Sequence, residues 1–112
     1  MVETITIQDF ENIELRAGTI IKVEDFPEAK KPGYKITADF GEFGIKKSSV
    51  QITKHYTKKE LIGKQIIGVI NLPAKQITNF QSEFLTTGFK DENGDIILAK
   101  PERPLPRGAK MC

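Results

Sequence analysis

A chain of 112 residues is one domain's worth, and at this size roughly two-thirds of the unfolded surface is buried, enough to fold without disulfide or metal staples. Hydrophobic residues make up 38% and charged residues 29%, which describes a soluble protein with a modest core and excludes a disordered chain. The net charge is only +2, and the single cysteine, Cys112, excludes an intrachain disulfide.

In chain order, Thr6-Ile7-Gln8-Asp9 opens a short amphipathic stretch, with Thr6 as N-cap and Ile7 and Phe10 on one helical face. Leu15 to Glu24 reads as a strand from the alternation of Ala17, Thr19, Ile21 and Val23, and Gly18 marks a bulge within it. Phe26 to Gly33, with Pro27, Pro32 and Gly33, is a loop. Tyr34 to Phe40 is a half-buried strand with Tyr34, Ile36, Ala38 and Phe40 on one face. After a turn at Gly41 to Gly44, Ile45 to Ile52 returns as a third strand. Thr57-Lys58-Lys59-Glu60 is a capping box opening a very short helix that Gly63 ends. Gln65 to Asn71 is an apolar strand, Leu72-Pro73-Ala74 a turn, and Lys75 to Phe80 a further strand segment. Glu83 to Phe89 and Asp95 to Lys100 read as strands joined around Asn93-Gly94. Pro101, Pro104 and Pro106 make the tail extended.

A helix between the third and fourth strands is the layout of an OB barrel, whereas a sandwich more often lacks it. The fold expected is all-β with short helices: a five-stranded OB barrel with N- and C-terminal extensions. One domain spans 1–112, with its barrel core at about 10–100 and extensions at 1–14 and 101–112. Met1 to Arg16 carries acids where a signal peptide carries bases, and Ile66 to Ile70 is too short to span a bilayer. A cytoplasmic protein without membrane insertion is expected.

Charge is unevenly placed. Residues 1–29 hold seven acids against Arg16 and Lys22, while residues 46–75 hold seven lysines against Glu60 alone. Such asymmetry hints at a polyanion-facing surface; the alternative is a solvated face.

The inventory for catalysis is missing. His55 and Cys112 are the only histidine and cysteine and lack metal-ligand spacing; no phosphate loop or nucleophile elbow is present, and Ser48-Ser49 lies in a strand without an assignable base. No enzyme, no metal and no cofactor are expected. Binding fits better, because OB barrels hold oligonucleotides with one face and its flanking loops. Candidate phosphate ligands are Lys46, Lys47, Lys54 and Lys75, near Tyr56, Phe43 and Phe80, with Asn71, Gln76, Asn79, Gln81 and Ser82 as hydrogen-bonding tips. Phe43 and Phe80 can equally be core or interface residues.

Ile13-Glu14-Leu15-Arg16-Ala17-Gly18-Thr19-Ile20 resembles the opening strand of the tRNA-binding-domain family. Glu60-Leu61-Ile62-Gly63-Lys64 and Asn71-Leu72-Pro73-Ala74-Lys75 are similar to its central segment, and Ser82-Glu83 to its serine-containing turn. The ordered set Asp39-Phe40-Gly41, Gly44-Ile45-Lys46, Ser48-Ser49, Gln51-Ile52-Thr53 and Tyr56, with Pro101, Pro104, Pro106, Gly108 and Lys110, is most similar to the CsaA branch. The likeness runs from about Phe10 to Met111. It implies an OB fold and a homodimer built through the terminal extensions. It also implies two activities: binding of tRNA or structured RNA, and chaperone-like binding of unfolded or exported polypeptides in contact with the secretion machinery. Lys46, Lys47, Lys54, Asn71, Lys75 and Ser82 are then the nucleic-acid candidates, and Phe43 and Phe80 the peptide candidates. One departure is Phe84-Leu85, where many family members carry glycine and methionine.

Overall fold

The computed structural model describes residues 2–112. Helix α1 (Ile7–Glu11) starts as its sequence requires: the Thr6 hydroxyl accepts from the Asp9 amide and the Asp9 carboxylate accepts from the Thr6 amide, each at 3.0 Å. It buries nothing, and Ile7 is 75% exposed. The long strand β1 (Leu15–Asp25) lies at the centre of an antiparallel sheet, between β2 (Tyr34–Asp39) and β4 (Gln65–Val69). A 3-10 turn over Gly41–Phe43 leads into β3 (Ile45–Val50), which pairs with β2. Helix α2 (Lys58–Leu61) carries the reciprocal Thr57–Glu60 capping box and drives Leu61 into the core; Gly63 follows it at φ +86°.

The remaining strands are short: β5 (Lys75–Ile77), β6 (Phe80–Ser82), β7 (Leu85–Thr86), β8 (Gly88–Lys90) and β9 (Ile96–Leu98). The main sheet runs β3-β2-β1-β4-β7, and β5–β6 and β8–β9 are separate hairpins. Its two edges then approach one another. The Glu83 amide donates to the Lys47 carbonyl at 2.7 Å, and the Lys47 amide donates to the Glu83 carboxylate at 2.9 Å. One step along, the Ser49 amide donates to Ser82 Oγ at 3.2 Å. These bonds give a five-stranded, nearly closed barrel of the OB type, with α2 between β3 and β4.

Packing inside follows the alternation of β2. Tyr34, Ile36, Ala38 and Phe40 are all buried, joined by Ile20, Ile52, Leu61 and Ile66. Ser48, the most buried polar side chain, donates to the Phe84 carbonyl at 2.9 Å, which satisfies it.

Three elements differ from expectation. The bulge in β1 falls at Ile21, between the pairs Ile20–Ala38 and Lys22–Thr37, and not at Gly18. Gly18 answers a packing demand instead: a Cβ there would lie 2.6 Å from the Phe40 ring. The segment Lys75 to Phe80 is not one strand but a hairpin whose turn is Thr78-Asn79, with Thr78 at φ +51°. A β-branched residue is a poor turn former, so the sequence carried no signal for it. Likewise Glu83 to Phe89 divides at Thr87 because β7 pairs with β4 while β8 pairs with β9. The tail is extended as expected, yet it does not stand off. Ala17 donates to Ala109, Gly108 to Ala17 and Met111 to Leu15, each at 2.8 Å, so the tail zips onto the part of β1 that β2 leaves free.

Gly18→Ala is expected to cost about 1–3 kcal/mol through overpacking against Phe40, read as a lower urea midpoint with unchanged slope. A midpoint equal to wild type would show that the Phe40 ring can shift freely.

Candidate nucleic-acid interface

The loop 26–33 is anchored by its first residue. Phe26 is 3% exposed, and its ring meets Phe80 of β6 edge-on, centroids 5.4 Å apart. Lys35 Nζ stands over both rings, 5.3 Å from Phe26 and 5.7 Å from Phe80. The β5–β6 hairpin therefore leans on the loop. Between them lies a cleft of about 520 Å³, with Lys30, Lys31 and Lys75 around Ser49, Gln51 and Gln76. A second cleft of about 700 Å³ shares Lys31 and Gln51 and continues to Lys54 and Lys90. The two adjoin at Lys31 and Gln51 and together make up the groove, whose second part also carries Asp95. None of its five lysines has a carboxylate within salt-bridge distance among the described residues, so their charge is free to act on a ligand.

The candidates read from the sequence are placed as follows. Lys54 and Lys75 lie in the groove at its two ends. Lys46 and Lys47 alternate across β3: Lys46 faces the side of Ala38 and Ser48, Lys47 the opposite side with Thr37, and neither lines the groove. Asn71 is engaged within the chain, since its Oδ1 accepts from the Glu14 amide at 3.0 Å and its Nδ2 donates to the Asn12 carbonyl at 2.7 Å. Ser82 stands opposite Lys75 and holds the barrel seam through Ser49. Phe43 is half-buried under the Arg16 guanidinium, 4.2 Å above its ring, and against the tail at Gly108. Phe80 is half-buried in its contact with Phe26.

The lysine run of the sequence is thus dispersed. Lys58, for one, is held by Asp25 at 2.8 Å, a hydrogen bond that raises its pKa. In exchange Lys30, Lys31 and Lys90 join the groove, and the sequence reading missed them. The adjacent pair Lys30-Lys31 in a proline-rich loop was a visible signal; Lys90 had none.

His55 is not isolated. Its Nε2 lies 2.9 Å from the Asp91 carboxylate, which this bond and the Asp95 amide hold below the usual carboxylate range. Asp95 completes a trio whose potential ligand atoms lie within 4.8 Å of one another, a spacing that partly exposed acidic groups commonly show without an ion. An apolar hollow of about 600 Å³ is lined by Leu72, Pro73, Phe84 and Leu85 together with Lys75, Gln76 and Ser82 of the hairpin. No helix among the described residues is long and apolar enough to cross a membrane.

Comparison with known proteins gives the family. Residues 15–110 match the sequence profile of the family described as "Putative tRNA binding domain". The chain belongs to the tRNA-binding-domain family. Within it the chain is of the CsaA type. The crystal structure of chaperone CsaA from Bacillus anthracis str. Ames shares 43% identity at a TM-score of 0.93, covering 98% of this chain and all (100%) of that one. The CsaA chaperone protein from Picrophilus torridus shares 46% identity at a TM-score of 0.90, covering 97% and 100%. A methionine–tRNA ligase from Methanococcus aeolicus is 37% identical over 99% of this chain, and the chain spans only 16% of that relative's length.

Asn71→Ala removes both side-chain hydrogen bonds, to the Glu14 amide and the Asn12 carbonyl, and is expected to cost about 1–3 kcal/mol and to speed amide exchange at Glu14. An unchanged melt and unchanged exchange would mean that the Asn71 amide is free for a ligand.

Proposed function

We propose that this protein binds structured RNA, tRNA foremost, along the groove between the loop 26–33 and the β5–β6 hairpin. The observation that carries the reading is the convergence of Lys30, Lys31, Lys54, Lys75 and Lys90, none with a salt-bridge partner among the described residues, on two adjoining clefts. The family's name points the same way. Recognition rests on phosphate and shape. Single-strand binders stack bases on open aromatic faces, but Phe26 and Phe80 here are packed on each other and capped by Lys35. Binding involves no chemistry on the ligand and belongs in the cytoplasm.

A second reading, chaperone-like capture of unfolded or exported polypeptides for the secretion machinery, is supported by the apolar hollow at Leu72, Pro73 and Leu85 and by the likeness to proteins described as CsaA chaperones. A homodimer goes with both readings. Leu105 and Met111 are 43% and 40% exposed on the docked tail, beside Leu15 and Ile67, an apolar strip suited to a second copy.

Three outcomes are expected. Alanine at each groove lysine weakens tRNA binding and flattens the dependence of log affinity on log salt by roughly 0.7–0.9 per lost contact, more than alanine at Lys46 or Lys47. Peptide binding is nearly salt-independent and falls with Leu85→Asp. Sedimentation at micromolar concentration gives a dimer. If the five-lysine variant keeps wild-type tRNA affinity and slope, the RNA reading is wrong. Salt-sensitive peptide binding untouched by Leu85→Asp removes the hollow, and a monomer removes the dimer.

A further inference from the structure

We propose that Phe80 is a positioning residue for the RNA groove: its ring latches the β5–β6 hairpin onto Phe26 and so holds Lys75 facing Lys30 and Lys31. This inference rests on the RNA reading of the groove and deepens it.

The hairpin has little else to fix it. Each strand is three residues long, and two-stranded hairpins of this size are marginal alone. Its turn carries Thr78 in the left-handed region, which local hydrogen bonds from Gln76 to the Thr78 carbonyl and from Thr78 to Asn79 only partly offset. Lys75, Gln76, Thr78, Asn79 and Gln81 are exposed, leaving the half-buried Ile77, Phe80 and Ser82 as its side-chain anchors. Ser82 fixes the base through Ser49, and Phe80 is the anchor that reaches across to the loop.

The surface it grips is anchored at Phe26. Phe26 is buried, its amide donates to the Gly33 carbonyl, and its carbonyl accepts from the Ala29 amide, both at 3.2 Å. Lys35 stands over the two rings and closes the contact. Release of Phe80 would free the hairpin to swing about its base, and Lys75 would leave the cleft it shares with Lys30 and Lys31. The bound RNA would then have to order the hairpin again.

A double-mutant cycle tests this with unfractionated tRNA as the probe, together with amide exchange in the free protein. Phe80→Ala is expected to weaken tRNA binding roughly 3- to 10-fold, the range of an aromatic pair contact. Adding Lys75→Ala should then cost much less than it does in wild type, and Phe80→Tyr should restore affinity. In the free protein, Phe80→Ala should speed exchange of the β5–β6 amides while β1 and β4 stay protected. Phe80→Leu, which keeps bulk without a ring edge, serves if the alanine variant does not fold. Additive losses from Phe80→Ala and Lys75→Ala, with hairpin exchange unchanged, would overturn the latch and make Phe80 a direct contact. If wild type fails to bind tRNA, the RNA reading falls, and the exchange result alone decides whether the latch exists.

Discussion

Two phenylalanine rings set the shape of this barrel. Phe40 at the end of β2 and Phe84 just before β7 meet edge-on with centroids 5.0 Å apart. They reach each other only because Gly18 in β1 and Gly68 in β4 present no side chain; a Cβ at Gly68 would lie 2.8 Å from Phe84 and 2.9 Å from Phe40. That contact draws the segment 82–84 against β3, where Ser48, Ser49 and Lys47 meet it through hydrogen bonds. The closed seam fixes the base of the β5–β6 hairpin at Ser82, and the contact of Phe80 with Phe26 lays the hairpin over the loop 26–33.

Charge is sorted by the same architecture. The acidic N-terminal third does not simply face water. Glu14 binds Arg16 and Lys110, which lower its pKa, and Asp39 is lowered by the Gly41 amide and by Arg107. Both carboxylates thereby pin the tail alongside β1. Asp25 engages Lys58 and Asp91 engages His55. With these carboxylates tied elsewhere, and none within salt-bridge distance of the five groove lysines among the described residues, a protein of net charge +2 can present a local excess of positive charge there against Asp95 alone in the lining. Such ties are weak singly and screened by salt, so their main effect is placement.

Much of the fold was legible because local signals agreed with the global result. The Thr6 N-cap, the Thr57–Glu60 capping box, the alternation of Tyr34 to Phe40 and the Asn93-Gly94 turn each used chemistry that sequence displays directly. The failures had physical causes. Gly18 looked like a bulge because a glycine required by a distant ring is indistinguishable, in sequence, from one required by a backbone bend. Thr78 hid a turn behind a strand-forming residue. At the site, Lys54 and Lys75 were legible as lysines, but their joining through Lys30, Lys31 and Lys90 depends on a loop and two hairpins converging in space. Phe43 and Phe80 were noticed as aromatics near basic residues; their partners, Arg16 and Phe26, lie too far along the chain to be paired by spacing.

The most direct measurement is lysine footprinting: acetylation of each lysine, followed by mass spectrometry, with and without saturating tRNA. The account predicts protection at Lys30, Lys31, Lys54, Lys75 and Lys90, with Lys46, Lys58 and Lys110 modified at the same rate in both states. Protection spread evenly over all lysines, or centred on Lys46 and Lys110 with the groove lysines unprotected, would contradict it.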